Sequence, residues 1–170
     1  MMGINFSEVD GVIFDLDGTL VASSLDFRAI KTHLQCPLEQ DILIHIDSLT
    51  DPHQQQLAHQ YILDQELADA QQARWLSRGQ QLVAEATQHN LPMAIVTRNS
   101  IAATQLKISN NQIPISLVIT REDAPPKPDP TALLSVANQW QIPASRCLYV
   151  GDFIYDQQAA QRAGMQFLMV

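Results

Sequence analysis

Two carboxylates stand two residues apart at the end of an apolar run, Asp15 and Asp17 in Gly11-Val12-Ile13-Phe14-Asp15-Leu16-Asp17-Gly18-Thr19-Leu20. If strand geometry persists, residues i and i+2 share a face, and like charges that close need a cation between them or a proton on one. A turn accounts for one Asp and the Gly, since both are ordinary turn formers. It leaves a second carboxylate against a hydrophobic strand unexplained. Further along, Thr97-Arg98-Asn99 follows the apolar run Met93-Ala94-Ile95-Val96, and Arg121-Glu122-Asp123 follows Leu117-Val118-Ile119 with Thr120 between. Gly151-Asp152 follows Leu148-Tyr149-Val150, Asp156 comes four residues after Asp152, and Lys127 sits in a loop crowded with prolines.

The residue types are complementary. Asp15, Asp17, Asp152 and Asp156 form an anionic cluster suited to a hard divalent cation; magnesium takes one or two carboxylates and keeps water or substrate oxygens. Thr97, with the backbone amides around Arg98 and Asn99, offers donors to an anionic group at a helix start. Lys127 supplies a compact positive charge able to hold both a carboxylate and a phosphate oxygen. A carboxylate nucleophile beside a metal and an ammonium is equipped for phosphoryl transfer, because both cations offset its repulsion from an anionic substrate. Taken singly, Thr97 reads as a strand-end hydroxyl and Lys127 as a solvated loop residue. Asp152 and Asp156 alone read as the cap and first-turn acid of a helix. Their shared position at strand ends favours the functional reading.

The elements that must position them alternate. Residues 9–14, the run within 92–97, 116–120, 147–150 and 167–170 read as strands, apolar enough to be covered on both faces. Helices are expected over about 79–89, 100–107, from 129–130 onward, and over 155–163 with Gly164 closing the last. That alternation predicts an α/β chain: a three-layer α/β/α, Rossmann-like core around a parallel sheet, whose ligands gather at the carboxyl ends of the strands. Between the first strand and the second lies a stretch without β-branched runs, where Pro37 and Asp51-Pro52 mark boundaries of two or three helices. From the pattern alone it is either more core or an inserted helical cap.

Composition narrows the function classes. The chain has 170 residues, 46% hydrophobic and 16% charged, enough for one globular core with a modest insertion. A formal net charge of −8 argues against nucleic acid and anionic membrane surfaces as partners. Cys36 and Cys147 lack metal-ligand spacing and read as reduced thiols. No leader pattern or membrane-length apolar run is visible, so the expected location is cytoplasmic. Five histidines without ligand spacing do not make a zinc site, and Trp75 and Trp140 read as packing residues.

In these residues the chain resembles the haloacid dehalogenase superfamily of hydrolases, in its phosphatase branch. Asp15-Leu16-Asp17-Gly18-Thr19-Leu20 is similar to the first motif of that family and Thr97-Arg98-Asn99 to the second. Lys127 within Pro126-Lys127-Pro128-Asp129-Pro130 is similar to the third, and Gly151-Asp152 through Asp156 to the fourth. The resemblance covers about residues 8–21 and 78–170. It implies that Asp15 attacks phosphorus and becomes an aspartyl-phosphate, while Asp17 protonates the leaving oxygen and then activates water. It implies Mg2+ held by Asp15, the backbone carbonyl of Asp17 and Asp152, with Asp156 in support. Thr97 and Lys127 would bind the transferring phosphoryl group, with Arg98 and Asn99 beside them and Arg98 and Arg121 bordering the substrate.

The family pattern also favours the cap reading. The expected organisation is a catalytic core of residues 1–21 and 78–170 and a small helical cap of residues 22–77. The acidic residue common shortly after Gly-Thr-Leu is absent, the run here being Val21-Ala22-Ser23-Ser24. So small a cap is expected to leave the site relatively open, permitting larger phosphorylated substrates. The expected activity is a magnesium-dependent phosphatase acting on a small phosphorylated metabolite. A phosphomutase on the same core and a non-catalytic phosphate-ligand binding module are the alternatives. A dehalogenase lacks the second acid that Asp17 provides, and a phosphonate hydrolase would need Lys31, the only lysine of the insertion, to form an imine.

Overall fold

The computed structural model describes residues 3–170; Met1 and Met2, included in the expected core, lie outside them. In chain order the elements are β1 (Gly11–Phe14), α1 (Phe27–His33), α2 (Ile42–Asp47), α3 (Pro52–Gln72), α4 (Ser77–Gln88) and β2 (Met93–Val96). Then come α5 (Ile101–Asn111), β3 (Leu117–Ile119), α6 (Thr131–Trp140), β4 (Cys147–Gly151), α7 (Ile154–Ala163) and β5 (Gln166–Met169). The strands form one parallel sheet ordered β3-β2-β1-β4-β5. The Rossmann-like α/β arrangement expected from the alternation is the one found.

Why the strands read as continuous apolar runs is visible in the packing. Successive side chains alternate across the sheet, and each face meets helices. Val12, Phe14, Ile95, Leu148 and Val150 pack with Leu82, Val83 and Ala86 of α4. Ile13, Ala94, Val96 and Tyr149 pack with Leu133 and Val136 of α6 and Ala159 and Ala160 of α7. β1, wholly buried between β2 and β4, is thus the rail that delivers Asp15 and Asp17 to the middle of the sheet edge. Gly11 is required at its start because a Cβ there would stand 2.7 Å from the Trp140 ring.

The segment between β1 and α4 is held by its own caps. Asp26, Asp41 and Asp51 each accept a hydrogen bond from a first-turn amide of α1, α2 and α3. This is the stabilising arrangement that Asp favours at helix starts. Ile30, Ile42, Ile46, Ala58 and Ile62 make a separate small cluster there. The two connections to the sheet run side by side, with Ala22 N bonded to Arg74 O (2.9 Å) and Leu76 N to Leu20 O (2.8 Å). α3 spans 21 residues, and its second half carries buried Glu66, Asp69 and Ala70. That half lies along α5, so a single helix belongs both to the small cluster and to the packing over the sheet.

Boundaries differ in detail from the sequence reading. α5 continues past residue 107 to Asn111, where Gln112 turns left-handed at φ 53°. Gln35, Asn90 and Gln141 also take positive φ just beyond helix ends, and among the described residues only α7 ends on a glycine, Gly164. The Lys127-Pro128 peptide bond is cis. Among the described residues no helix is long and apolar enough to cross a membrane.

Candidate active site

At the carboxyl ends of β1, β2 and β4 the chain turns away sharply and leaves its polar residues facing one cavity of about 500 Å³. After β1 the amides of Thr19, Leu20 and Val21 all turn back to the carbonyl of Leu16. This tight loop places Gly18 at φ 77°, where a side chain would be strained and a Cβ would lie 1.9 Å from Asp152 Oδ2. The missing side chain lets the Asp15 loop and the Asp152 loop approach each other. Asp15, Asp17, Thr97, Arg98, Asn99, Lys127, Asp152 and Asp156 all line the cavity, so the residues singled out from sequence converge there.

Lys127 is the centre of charge. It is 2% exposed, and the three N–H groups of its Nζ are shared among Asp15 Oδ1 at 2.9 Å, Asp156 Oδ1 at 2.7 Å, Tyr149 Oη at 2.5 Å and Val96 O at 3.1 Å. Burial opposes its charge, but Asp15 and Asp156 outweigh that and hold its pKa above the ordinary lysine value. Asp15 is raised as well, which for a carboxyl favours the neutral form. Burial raises its carboxyl well above the usual range, and Asp156 and the adjacent Asp152 add to this against the pull of Lys127. Asp152 is also raised, by burial first, with Asp156 contributing and a hydrogen bond with Asp15 opposing.

The four carboxylates are not equivalent. Oxygens of Asp15, Asp152 and Asp156 come within 4.8 Å of one another. Asp156 is saturated: Oδ1 accepts from Lys127 and Tyr149, and Oδ2 from the amides of Asp152 and Phe153, each at 3.2 Å. It fixes the ammonium and the loop carrying Asp152. Asp15 is less committed, with Oδ1 accepting from Lys127 and Oδ2 from Thr19 Oγ1 only at 3.4 Å, so Asp15 and Asp152 are the carboxylates able to hold a cation. The Asp17 side chain stands outside this group, with Oδ1 accepting from Lys107 Nζ at 2.6 Å and Oδ2 from Asn99 Nδ2 at 2.7 Å.

The second loop is occupied by its own chain to a degree its sequence did not suggest. The amide of Asn99 and its Nδ2 both donate to Thr97 Oγ1 at 3.1 Å, which fills the acceptor side of that hydroxyl and leaves its O–H to donate outward. The amides of Ser100 and Ile101 go to Glu66 and Glu122. Arg98 donates to the carbonyl of Lys127, pairs with Asp41 of the α2 cap at 2.5 Å, and lies 4.9 Å from the centre of the Tyr155 ring. Arg121, expected beside the substrate, forms a fork with Glu66 of α3 through two bonds of 2.7 Å.

Several participants had no signal in the sequence. Tyr149 read as one more apolar strand residue, and Lys107 as a helix end. Glu66 and Asp69 sat in an unpatterned polar helix. Each acquires meaning from a partner at least 22 residues away along the chain. Only a buried polar tip on an otherwise apolar strand could have flagged Tyr149.

A family model described as haloacid dehalogenase-like hydrolase matches residues 12–170. A haloacid dehalogenase-like hydrolase domain-containing protein of Arabidopsis thaliana is 30% identical over 166 residues, 91% of this chain and 67% of that protein. A phosphoglycolate phosphatase of Yersinia pestis is 30% identical over 192 residues, covering 95% and 80%. Among solved structures, a hydrolase from Pseudomonas syringae superposes with a TM-score of 0.77 at 22% identity, covering 94% and 84%, a likeness of fold.

Proposed function

The chain belongs to the haloacid dehalogenase-like hydrolases, and on that premise we propose that it is a magnesium-dependent phosphatase for a small phosphorylated metabolite. The observation that carries the reading is Lys127, a buried ammonium shared between Asp15 and the saturated Asp156 at the floor of an open cavity. The resemblance to a phosphoglycolate phosphatase supports the phosphatase chemistry without fixing the substrate.

In this reading Asp15 is the nucleophile. Its oxygen forms a bond to phosphorus as the ester P–O bond breaks, and the electron pair leaving on the ester oxygen is met by a proton from Asp17. Water then attacks the aspartyl-phosphate and gives its proton to Asp17. The bond from phosphorus to Asp15 breaks, returning the carboxylate and releasing inorganic phosphate. The Thr97 hydroxyl and Lys127 hold the phosphoryl oxygens, and Asn99 orients both Thr97 and Asp17. Arg98, tied to Asp41, sits where the rest of the substrate enters.

The acid cluster fits a magnesium ion. Asp15 and Asp152 are less committed than Asp156, and burial first, with the neighbouring carboxylates adding to it, raises both above the usual range, a cost that a bound cation would offset. With the backbone carbonyl of Asp17 they would hold the ion, and Asp156 would act through Lys127 and the loop. When bound, magnesium supplies positive charge that offsets repulsion between the nucleophile and the phosphoryl oxygens. A cytoplasmic setting is part of the proposal, supported by two buried free thiols, Cys36 and Cys147.

The test is turnover of p-nitrophenyl phosphate and a panel of sugar, nucleotide and short-chain alkyl phosphates, with and without magnesium, beside Asp15→Asn. Magnesium-dependent release of phosphate that Asp15→Asn abolishes is the expected result. No turnover of any panel member by the wild type would overturn the proposal.

A further inference from the structure

Lys107 is fully buried on α5, and neither it nor its partner Asp69 lines the cavity. Its Nζ lies 2.6 Å from Asp17 Oδ1, 3.0 Å from Asp69 Oδ2 and 3.3 Å from Asn99 Oδ1. An ammonium has three N–H donors, and these three acceptors use all of them. Burying a charge costs several kcal/mol of desolvation, a cost that an apolar side chain of similar length would not carry. The charge therefore sits where its direction, rather than its packing volume, is used.

Resting on the reading of Asp17 as the group that gives and takes the proton, we propose that Lys107 is the positioning residue for that carboxylate. Lys107 grips one oxygen and Asn99 the other, so the Asp17 carboxylate is held at both ends. The grip extends to the helical segment. Asp69, on the second half of α3, accepts from Ser24 N at 2.7 Å, Ser24 Oγ at 2.9 Å and Ser23 Oγ at 3.1 Å, where the chain leaves the sheet. One ammonium thus sets the aim of the proton donor against the helix and the linker that carry the cavity's far wall.

The consequence is selective. A leaving alkoxide needs the proton from Asp17, whereas p-nitrophenolate departs readily without it. Loss of aim should therefore damage alkyl phosphates far more than p-nitrophenyl phosphate, and a general loss of folded protein would damage both equally. The comparison uses kcat/KM, which reports the first chemical step, for p-nitrophenyl phosphate and for an alkyl phosphate that the wild type turns over.

The variants are Lys107→Met and the double variant Lys107→Met with Asp69→Asn, which keeps neither of that pair of buried charges and holds the comparison open should the single variant fail to fold. Both are expected to lose kcat/KM on the order of a hundredfold for the alkyl phosphate and less than about tenfold for the aryl one, as for loss of acid catalysis. Asp17→Asn is the benchmark and should show the same selectivity. If it does and the folded Lys107 variants do not, the positioning role is overturned while the phosphatase reading stands. If Asp17→Asn itself shows no selectivity, the proton-transfer assignment falls and the Lys107 proposal falls with it.

Discussion

Replacing Glu66 by Gln should destabilise the protein by about 3 kcal/mol, the lower end of the range for stranding one member of a buried ion pair. Both Glu66 oxygens face the Arg121 fork at 2.7 Å, and one also takes the Ser100 amide at 3.2 Å. The side chains are 6% and 13% exposed, so water can do little to solvate the guanidinium once its counter-charge is gone. The slight exposure of Arg121, and its third bond, to the carbonyl of Arg98, place the cost at the low end of the range. For a chain of 170 residues this corresponds to a fall in Tm of roughly 6–12 °C. Urea unfolding followed by circular dichroism, at fixed pH and salt, measures it. The companion variant Glu66→Leu with Arg121→Met removes both charges and should recover most of the loss. A single variant within about 1 kcal/mol of wild type, or a double variant no better than the single, would refute the view that this pair acts as a desolvated unit.

Gly18→Ala should cost about 1–2 kcal/mol for the left-handed backbone alone. Its methyl must also displace the Asp152 carboxylate, so the magnesium concentration for half-maximal turnover should rise at least about tenfold if each lost ligand oxygen is worth the usual charged hydrogen bond. Tyr149→Phe deletes the hydroxyl that joins Lys127 to Asp156 and should cost about 1.5–3 kcal/mol in urea unfolding, with kcat reduced more than KM. The bonds from Ser24 and the charge of Lys107 overcome the burial penalty and hold the pKa of Asp69 below its ordinary value. Its stabilising contribution is therefore complete above the unfolded aspartate pKa of about 4 and is lost as pH falls through the lower folded value. The stability gap between wild type and Asp69→Asn should accordingly shrink below about pH 4 in acid titrations of unfolding.

Much of the site was legible because its chemistry coincides with chain geometry. Asp15, Thr97 and Asp152 each follow a short apolar strand, and parallel strands expose their carboxyl ends on one edge, so position in sequence translated into position in space. Lys127 was recognisable by its place in the order of polar groups, although nothing local marked it as buried. What stayed hidden were pairings between distant elements. α3 is polar nearly all round, and no periodicity reveals that Glu66 and Asp69 turn inward onto Arg121 and Lys107. Arg98 and Arg121 both line the cavity, as their place beside the site suggested, but their pairing with Asp41 and Glu66 was not visible in the sequence. Helix ends carried little signal for a related reason: Gln112 and Gln141 close α5 and α6 in a conformation usually signalled by glycine.

Those closures have a practical meaning. Gln35, Gln112 and Gln141 hold left-handed backbones at positions away from the cavity lining, each at a cost of about 1 kcal/mol relative to glycine, partly offset by glycine's freer unfolded chain. Stability is thus left unclaimed at places where gaining it would not touch the chemistry. Glycine at these three helix ends would give the scaffold tolerance for destabilising changes around the cavity. That makes the protein a suitable starting point for laboratory evolution toward new phosphate esters.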